Sequence, residues 1–304
     1  MINIFAAKND HTLYNILRNS FKDIDFDCNI IGLDYQAFGM NSPFYLNDEF
    51  YKKPFFLYLE EFITFQREEI IKNKNCLGFI SHIKNTCEQL INEYNCNVYH
   101  LELASPDKNS DAVLNSIESL RSDRPINLIA WGSWSDVLDN NFFERGGDKV
   151  DELACSLLQN NININLTFRT TKNLKCKNLF PDKVNVIRDY ISENELERLY
   201  YKSDIFLLPS RQVHSCSLTN AMSFGLCSIV SDGWGINEYC NKLNSINYKE
   251  TNEIIDICSN KEKLILKRFN SFVNYKLKYS SNIHVEKAKN LIKLVERAGY
   301  YSEK

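Results

Sequence analysis

The sequence has ten cysteines, scattered from Cys28 to Cys258, yet no C-x-x-C pair and no cysteines and histidines at zinc spacing. That excludes the common structural zinc folds and leaves the cysteines reading as buried free thiols of a reducing compartment. Long apolar runs are also missing: the longest, such as Ile205-Phe-Leu-Leu208, fall far short of the roughly 20 residues that a spanning helix needs. Met1 to Lys8 lacks the basic stretch and apolar core of a secretory leader and runs straight into a short strand pattern. These absences predict a cytoplasmic chain, at most peripheral to a membrane. No charge of one sign dominates: 36 Lys and Arg against 39 Asp and Glu give a net charge of -3. With no local basic patch either, a nucleic-acid partner is not expected. No G-x-G-x-x-G follows an early strand, which argues against a dinucleotide-dependent dehydrogenase. No internal repeat or low-complexity tract is visible.

What is present is an ordinary globular composition, 44% hydrophobic and 25% charged over 304 residues, long enough for two cores. Short β-branched runs alternate with stretches of helical period, the pattern of βαβ units around parallel sheets. Candidate strands are Ile2 to Phe5, Asn29 to Leu33, Phe55 to Tyr58, Leu77 to Ser81, Val98 to Leu101, Ile126 to Trp131, Ile162 to Thr167, Val184 to Ile187, Ile205 to Leu208 and Cys227 to Ser231. Between them, Ile83 to Tyr94 and Asp148 to Gln159 carry one apolar face each and read as crossover helices. The polar segment Ser105 to Arg124, with Pro106 and Pro125 at its ends, is expected to be the interdomain connection. The domains are accordingly expected over 1–110 and 111–304, with closing helices in the last 50 residues.

Three constellations could carry chemistry. Gly132 and Ser133, in Trp131-Gly-Ser-Trp134, directly follow a predicted strand, where a glycine lets backbone approach a ligand; an ordinary strand-end turn has the same residues. Arg145, Gly146 and Gly147 open the next helix. Their N–H groups and guanidinium would suit a phosphate, and a solvated turn capped by Asp148 is the plainer alternative. The densest block runs from Asp204 through Pro209-Ser210-Arg211, a polar loop and a small-residue helix (Asn220 to Phe224) ending at Gly225, to a strand that delivers Asp232-Gly-Trp-Gly-Ile-Asn-Glu238.

These residues carry a resemblance. Ser192-Glu-Asn-Glu-Leu-Glu-Arg-Leu-Tyr-Tyr-Lys-Ser-Asp-Ile-Phe-Leu-Leu-Pro-Ser210 is similar nearly throughout to the "ee-L-x-x-l-y-x-x-a-D-i-f-v-l-P-S" stretch of the group 1, family 4 glycosyltransferases. Those proteins continue with Glu-x7-Glu-Ala-Met-Ala-x-Gly and Gly-Gly-x-x-Glu, which Gln212 to Gly225 and Gly233 to Glu238 resemble. Phe79 to Tyr94 and Ser280 to Val285 resemble further family elements, so that roughly two thirds of the chain is covered. The resemblance implies an α/β chain of the GT-B kind, two Rossmann-type domains with parallel sheets. The N-terminal one, of about 105 residues, is short and lacks the usual glycine-rich loop after the first strand.

The function so implied is transfer of a sugar, with retention, from a nucleotide-diphospho-sugar to a glycan, lipid or protein acceptor. No cofactor beyond that donor is expected. No metal is expected either, since the family manages phosphate charge with side chains and helix dipoles, and no D-x-D stands between predicted strands (Asp25-Phe-Asp27 precedes one). The donor would meet Gly132, Ser133, Arg145, Gly146, Gly147, Arg211, Ser217, Leu218, Asn220 and Glu238. Asp189 and Tyr190 would lie by the base, and Gln212 and His214 by the sugar. His11, His82 and His100 have no helper carboxylate at interpretable spacing.

Departures from the family pattern bear on activity. The acidic pair is Gln212 and Asn220 here, amides that accept hydrogen bonds but bring no charge. Ser133 stands where the family has an arginine, and Arg145 stands for its lysine, so one diphosphate-binding cation is lacking unless Arg211 or Lys149 substitutes. A weakened homologue that binds nucleotide-sugar or glycan as a partner protein is the alternative reading.

Overall fold

Strands buried on both faces must be apolar at successive positions rather than alternately, and the runs picked out above have that character. In the computed structural model they form two separate parallel sheets. It describes residues 1–5, 12–33, 47–59, 68–131, 142–143, 145–211, 213 and 215–298.

The chain forms two compact units: residues 1–105 together with the chain from Lys278 onward, and Pro106–Leu277. In the first, β1 (Ile2–Phe5), β2 (Cys28–Leu33), β3 (Phe55–Leu59), β4 (Cys76–Ser81) and β5 (Val98–His100) lie side by side in sequence order, all parallel. β3 is buried at every position, and its Phe55, Leu57 and Leu59 join Ile31, Phe79 and Leu90 in one cluster. The helices described here are α1 (Thr12–Phe21), α2 (Glu68–Ile71) and α3 (Lys84–Tyr94). Gly32 is needed for close approach: a Cβ there would fall 2.3 Å from the Tyr14 hydroxyl.

The second unit opens with α4 (Ser110–Glu118), followed by β6 (Ile126–Ala130), α5 (Gly147–Gln159), β7 (Ile164–Arg169), α6 (Lys175–Leu179) and β8 (Val184–Ile187). It continues with α7 (Glu193–Lys202), β9 (Ile205–Leu208), α8 (Ser215–Ser223), β10 (Cys227–Val230), α9 (Ile236–Tyr239), β11 (Ser245–Asn247), α10 (Thr251–Ser259) and α11 (Lys261–Lys278). The strands run in the order β11-β10-β9-β6-β7-β8, all parallel. This is the doubly wound arrangement, in which winding reverses between β6 and β9 and ligands bind outside the carboxyl ends of the strands at that switch.

Several expectations need correction. The two units part at Ser105 and Pro106, at the start of the expected connection, but the rest of 105–124 is folded into the second unit: Asn109 caps α4 by accepting from the Ala112 N–H at 3.0 Å, and Val113, Ile117 and Leu120 are buried. Three apolar residues suffice to dock a short capped helix, too few to stand out from a polar stretch. α8 begins at Ser215 rather than Asn220, although it does stop before Gly225, whose φ of 64° suits only glycine without strain. β7 runs to Arg169, and β11 was not foreseen, because Ile246 is its single strongly apolar residue. Three of the ten cysteines, Cys76, Cys96 and Cys216, are half-buried rather than buried, and all ten are free thiols.

The last helix, α12 (Ser281–Arg297), belongs to the first unit, whereas the sequence reading grouped it with residues from 111 onward. It packs on α1. There Ser20 Oγ and His284 Nδ1 lie 2.5 Å apart, and Lys287 bonds Glu102 at 2.8 Å. Burial, with Lys287 nearby, pushes the His284 imidazole down to about 4. His82, hydrogen-bonded at Nδ1 to Tyr58 Oη at 2.6 Å, is pushed by burial and His100 down to about 3. Both rings are therefore neutral in the fold at pH 6, while their unfolded counterparts titrate near 6.5. The first unit is expected to have full stability above about pH 6.5 and to lose up to about 1.4 kcal/mol per histidine per pH unit as pH falls toward 4. Urea midpoints across that range check this, and His284→Gln should flatten the slope.

Candidate functional site

In the second unit, three backbone segments meet beyond the carboxyl ends of β6, β9 and β10. Gly146, the residue before α5, has φ 75°, and a Cβ on it would sit 2.3 Å from the Pro209 carbonyl oxygen. The turn that starts α5 is thus pressed against the chain leaving β9. Lys149, one turn into the helix, reaches the same carbonyl with Nζ at 3.4 Å. On the other side of that chain, a Cβ on Gly233 would lie 2.6 Å from the Ser210 and Arg211 carbonyl oxygens. The loops after β9 and β10 are joined there by Trp234 N–H to Arg211 O at 2.9 Å, Val213 N–H to Trp234 O at 2.7 Å, and the Ser231 hydroxyl donating to Ser210 O. Glycine at these points is a packing requirement: anything larger would separate three strand ends that the fold draws together.

A small recess of about 40 Å³, open to solvent, lies beside this junction, walled by Ala130, Trp131, Phe142, Val150, Phe168, Leu207 and Leu208. Arg145 and Arg169 are its two charged lining residues, Arg169 being itself buried. Arg169 ends β7 and stacks on Trp131 at 5.1 Å from the ring. Phe142 stacks on Phe168 and lies under Gly147, where a Cβ would come within 2.5 Å of its ring. Two cations on apolar walls, next to the N–H groups that start a 13-residue helix, make a setting where an anion is stabilised by partial desolvation and by the helix dipole. Arg169 is the site residue that sequence reasoning missed. A strand read as ending at Thr167 left it in a loop, and no motif marks it.

The other foreseen residues divide. Arg211 is exposed at the β9 end. Ser217 is half-buried and Leu218 buried in the first turns of α8. Asn220 is half-buried, and its side chain hydrogen-bonds the buried Tyr200 phenol, whose ionisation burial suppresses. Glu238 is half-buried within α9, after the β10 loop. Asp189 and Tyr190 are exposed past β8, the edge strand, separated from β9 by β6 and β7. Asp232 is engaged by Lys249 at 2.9 Å, which holds its carboxyl below the usual range. Gly132, Ser133, Gln212 and His214 lie outside the described residues.

No family model matches the sequence. No curated protein matches it either. Solved structures do. The chain is similar to a glycosyltransferase from Rickettsia africae ESF-5 with TM-score 0.59 at 12% identity, over 96% of this chain and 84% of that one. It is similar to WaaG, a glycosyltransferase involved in lipopolysaccharide biosynthesis, with TM-score 0.56 at 14% identity, over 94% and 84%. A third likeness is to the alpha,alpha-trehalose 6-phosphate synthase of Burkholderia multivorans, with TM-score 0.64 at 9% identity, over 95% and 76%. The fold class is therefore that of the GT-B proteins, two Rossmann-like domains with parallel sheets. Among the described residues, no helix is long and apolar enough to cross a membrane.

Proposed function

We propose that the chain is a glycosyltransferase whose second unit binds the donor, a nucleotide-diphospho-sugar, through the Arg145-Gly146-Gly147 turn. The observation that carries this reading is the packing of that turn on Pro209 at the switch between β6 and β9, with Arg145 and Arg169 lining one recess beside it. There the diphosphate meets the helix start and the Arg145 guanidinium, and Arg169 supplies the second cation whose place Ser133 leaves empty in the motif. Asn220, steadied by Tyr200, offers an amide oxygen to the ribose, and Glu238 is a second acceptor near the β10 loop. Leaving-group charge is handled by these groups, which require no metal at the reacting centre, and transfer proceeds with retention to a glycan, lipid-linked or protein acceptor. A peripheral position at a membrane, in the cytoplasm, fits a lipid-linked acceptor.

The test is direct. The purified protein is titrated with UDP, GDP and ADP and assayed with the corresponding sugar donors. One nucleoside diphosphate is expected to bind preferentially and raise the Tm by mass action. Arg145→Ala is expected to weaken that binding about 10- to 100-fold, the worth of one lost charge-assisted hydrogen bond. Indifference of both binding and turnover to Arg145→Ala would sink the phosphate role.

A further inference from the structure

Away from the residues assigned to the donor, α5 and α6 meet at a cluster of three side chains. Asp151 and Cys155 are four positions apart on α5 and so share a face. Cys176 lies in the first turn of α6. Asp151 fixes that helix in place, its Oδ2 accepting from the Lys175 N–H and its Oδ1 from the Cys176 N–H, both at 2.8 Å. The same carboxylate thereby brings the two sulfurs together. One oxygen of Asp151 and the Sγ atoms of Cys155 and Cys176 all lie within 4.8 Å of one another. Both cysteines are buried, and Asp151 is half-buried, which leaves one side of the cluster toward solvent.

We propose that Asp151, Cys155 and Cys176 form a binding site for a soft divalent metal ion of the zinc class, one that pins α6 to α5. Two sulfurs and a carboxylate select a borderline-soft ion over magnesium or calcium, which prefer all-oxygen sites. Zinc holds sulfur at about 2.3 Å and oxygen at about 2.0–2.2 Å, so the donor atoms need close by only about 1 Å, within reach of side-chain rotation. A solvent molecule on the Asp151 side completes four-coordination. A cysteine thiol with an ordinary pKa of about 8.5 is mainly S–H at neutral pH, so the empty site holds two S–H groups. Binding exchanges their two protons for the ion and releases them to solvent. Because Gly147 stands one turn before Asp151 on α5, the ion also stiffens the helix that frames the recess. Sequence spacing hides the site, since Cys155 and Cys176 stand in different elements with no motif between them.

The experiment uses the full chain, stripped with a chelator and titrated with Zn2+ against a chromophoric competitor, then with Co2+ alone. The expected result is one ion per chain, two protons released per ion, a thiolate-to-cobalt charge-transfer band and a raised Tm. Cys155→Ser and Cys176→Ser are each expected to weaken binding by about a hundredfold or more and to release one proton, whereas Cys96→Ser, in the other unit, binds as the parent does. Asp151→Asn keeps an oxygen for capping α6 and should weaken binding about tenfold, which holds the test open should a serine variant fail to fold. Uptake below a tenth of an equivalent overturns the proposal, as does unchanged affinity in Asp151→Asn and in the serine variants that fold. So does a Cys155–Cys176 disulfide in the native protein without metal uptake.

Discussion

Asp204→Ala is expected to destabilise the second unit by about 3–5 kcal/mol, because it strands two guanidinium groups that the fold has taken largely out of water. Asp204 is fully buried at the start of β9 and accepts from four donors: the Asn127 N–H at 2.8 Å, Arg124 Nη1 at 2.7 Å and Nη2 at 2.8 Å, and Arg268 Nη1 at 2.6 Å. Arg268, on α11, is also fully buried; its Nε donates to the Gly225 carbonyl at 2.9 Å and its Nη2 to Ser116 Oγ at 3.1 Å. One carboxylate therefore joins β6, β9, α4, α11 and the turn after α8. Burial lowers the Arg268 pKa to about 10, opposed by Asp204. Arg268→Met should cost less than Asp204→Ala, since Asp204 keeps Arg124 and the Asn127 N–H while methionine fills the arginine's stem volume. Denaturant midpoints of the two variants decide this; an Asp204→Ala protein within 1 kcal/mol of the parent would mean that the cluster is not a structural hub.

Gly146→Val carries the second large effect. At φ 75° a β-branched residue is strained, and its Cβ would stand 2.3 Å from a backbone oxygen that cannot rotate away. Strain and overpacking together come to on the order of 3 kcal/mol. Relief requires Pro209 to move, and with it Ser210 and Arg211, which are tied to Gly233 and Trp234. Nucleoside-diphosphate binding is thus expected to fall at least tenfold along with stability, read by calorimetry and by urea unfolding. Gly147→Ala is the informative contrast, for its Cβ meets the Phe142 ring at 2.5 Å, a side chain rather than backbone. A valine variant that binds and unfolds like the parent would show that the α5 turn does not lean on Pro209.

Much of this was legible in the residues because the pieces concerned obey local rules. Ten of the eleven strands declare themselves as apolar runs between turns, and Arg145-Gly146-Gly147 and Gly233 are marked by glycines that later prove to be wedged against backbone. α4 was hidden because its three buried residues are diluted by polar ones. Arg169 was hidden because its place in the recess depends on where β7 stops and on Trp131 beyond the neighbouring strand. Arg268 did leave a trace: it sits among Leu264, Ile265, Phe272 and Tyr275, all buried, at helical spacing. A charge on the inward face of such a pattern predicts a buried partner without saying which, and Asp204 lies far away in sequence. The assignment of α12 could not be read at all, since an amphipathic helix does not announce which sheet it will cover.

That assignment shapes how the chain can be made. The helix that packs on α1 leaves the ribosome only after the whole of Pro106–Leu277, so Ser20, paired with His284, waits for its neighbour through the synthesis of another domain. Expression fragments should respect this: 106–277 is one uninterrupted stretch, while a clone ending at 105 would display a greasy flank.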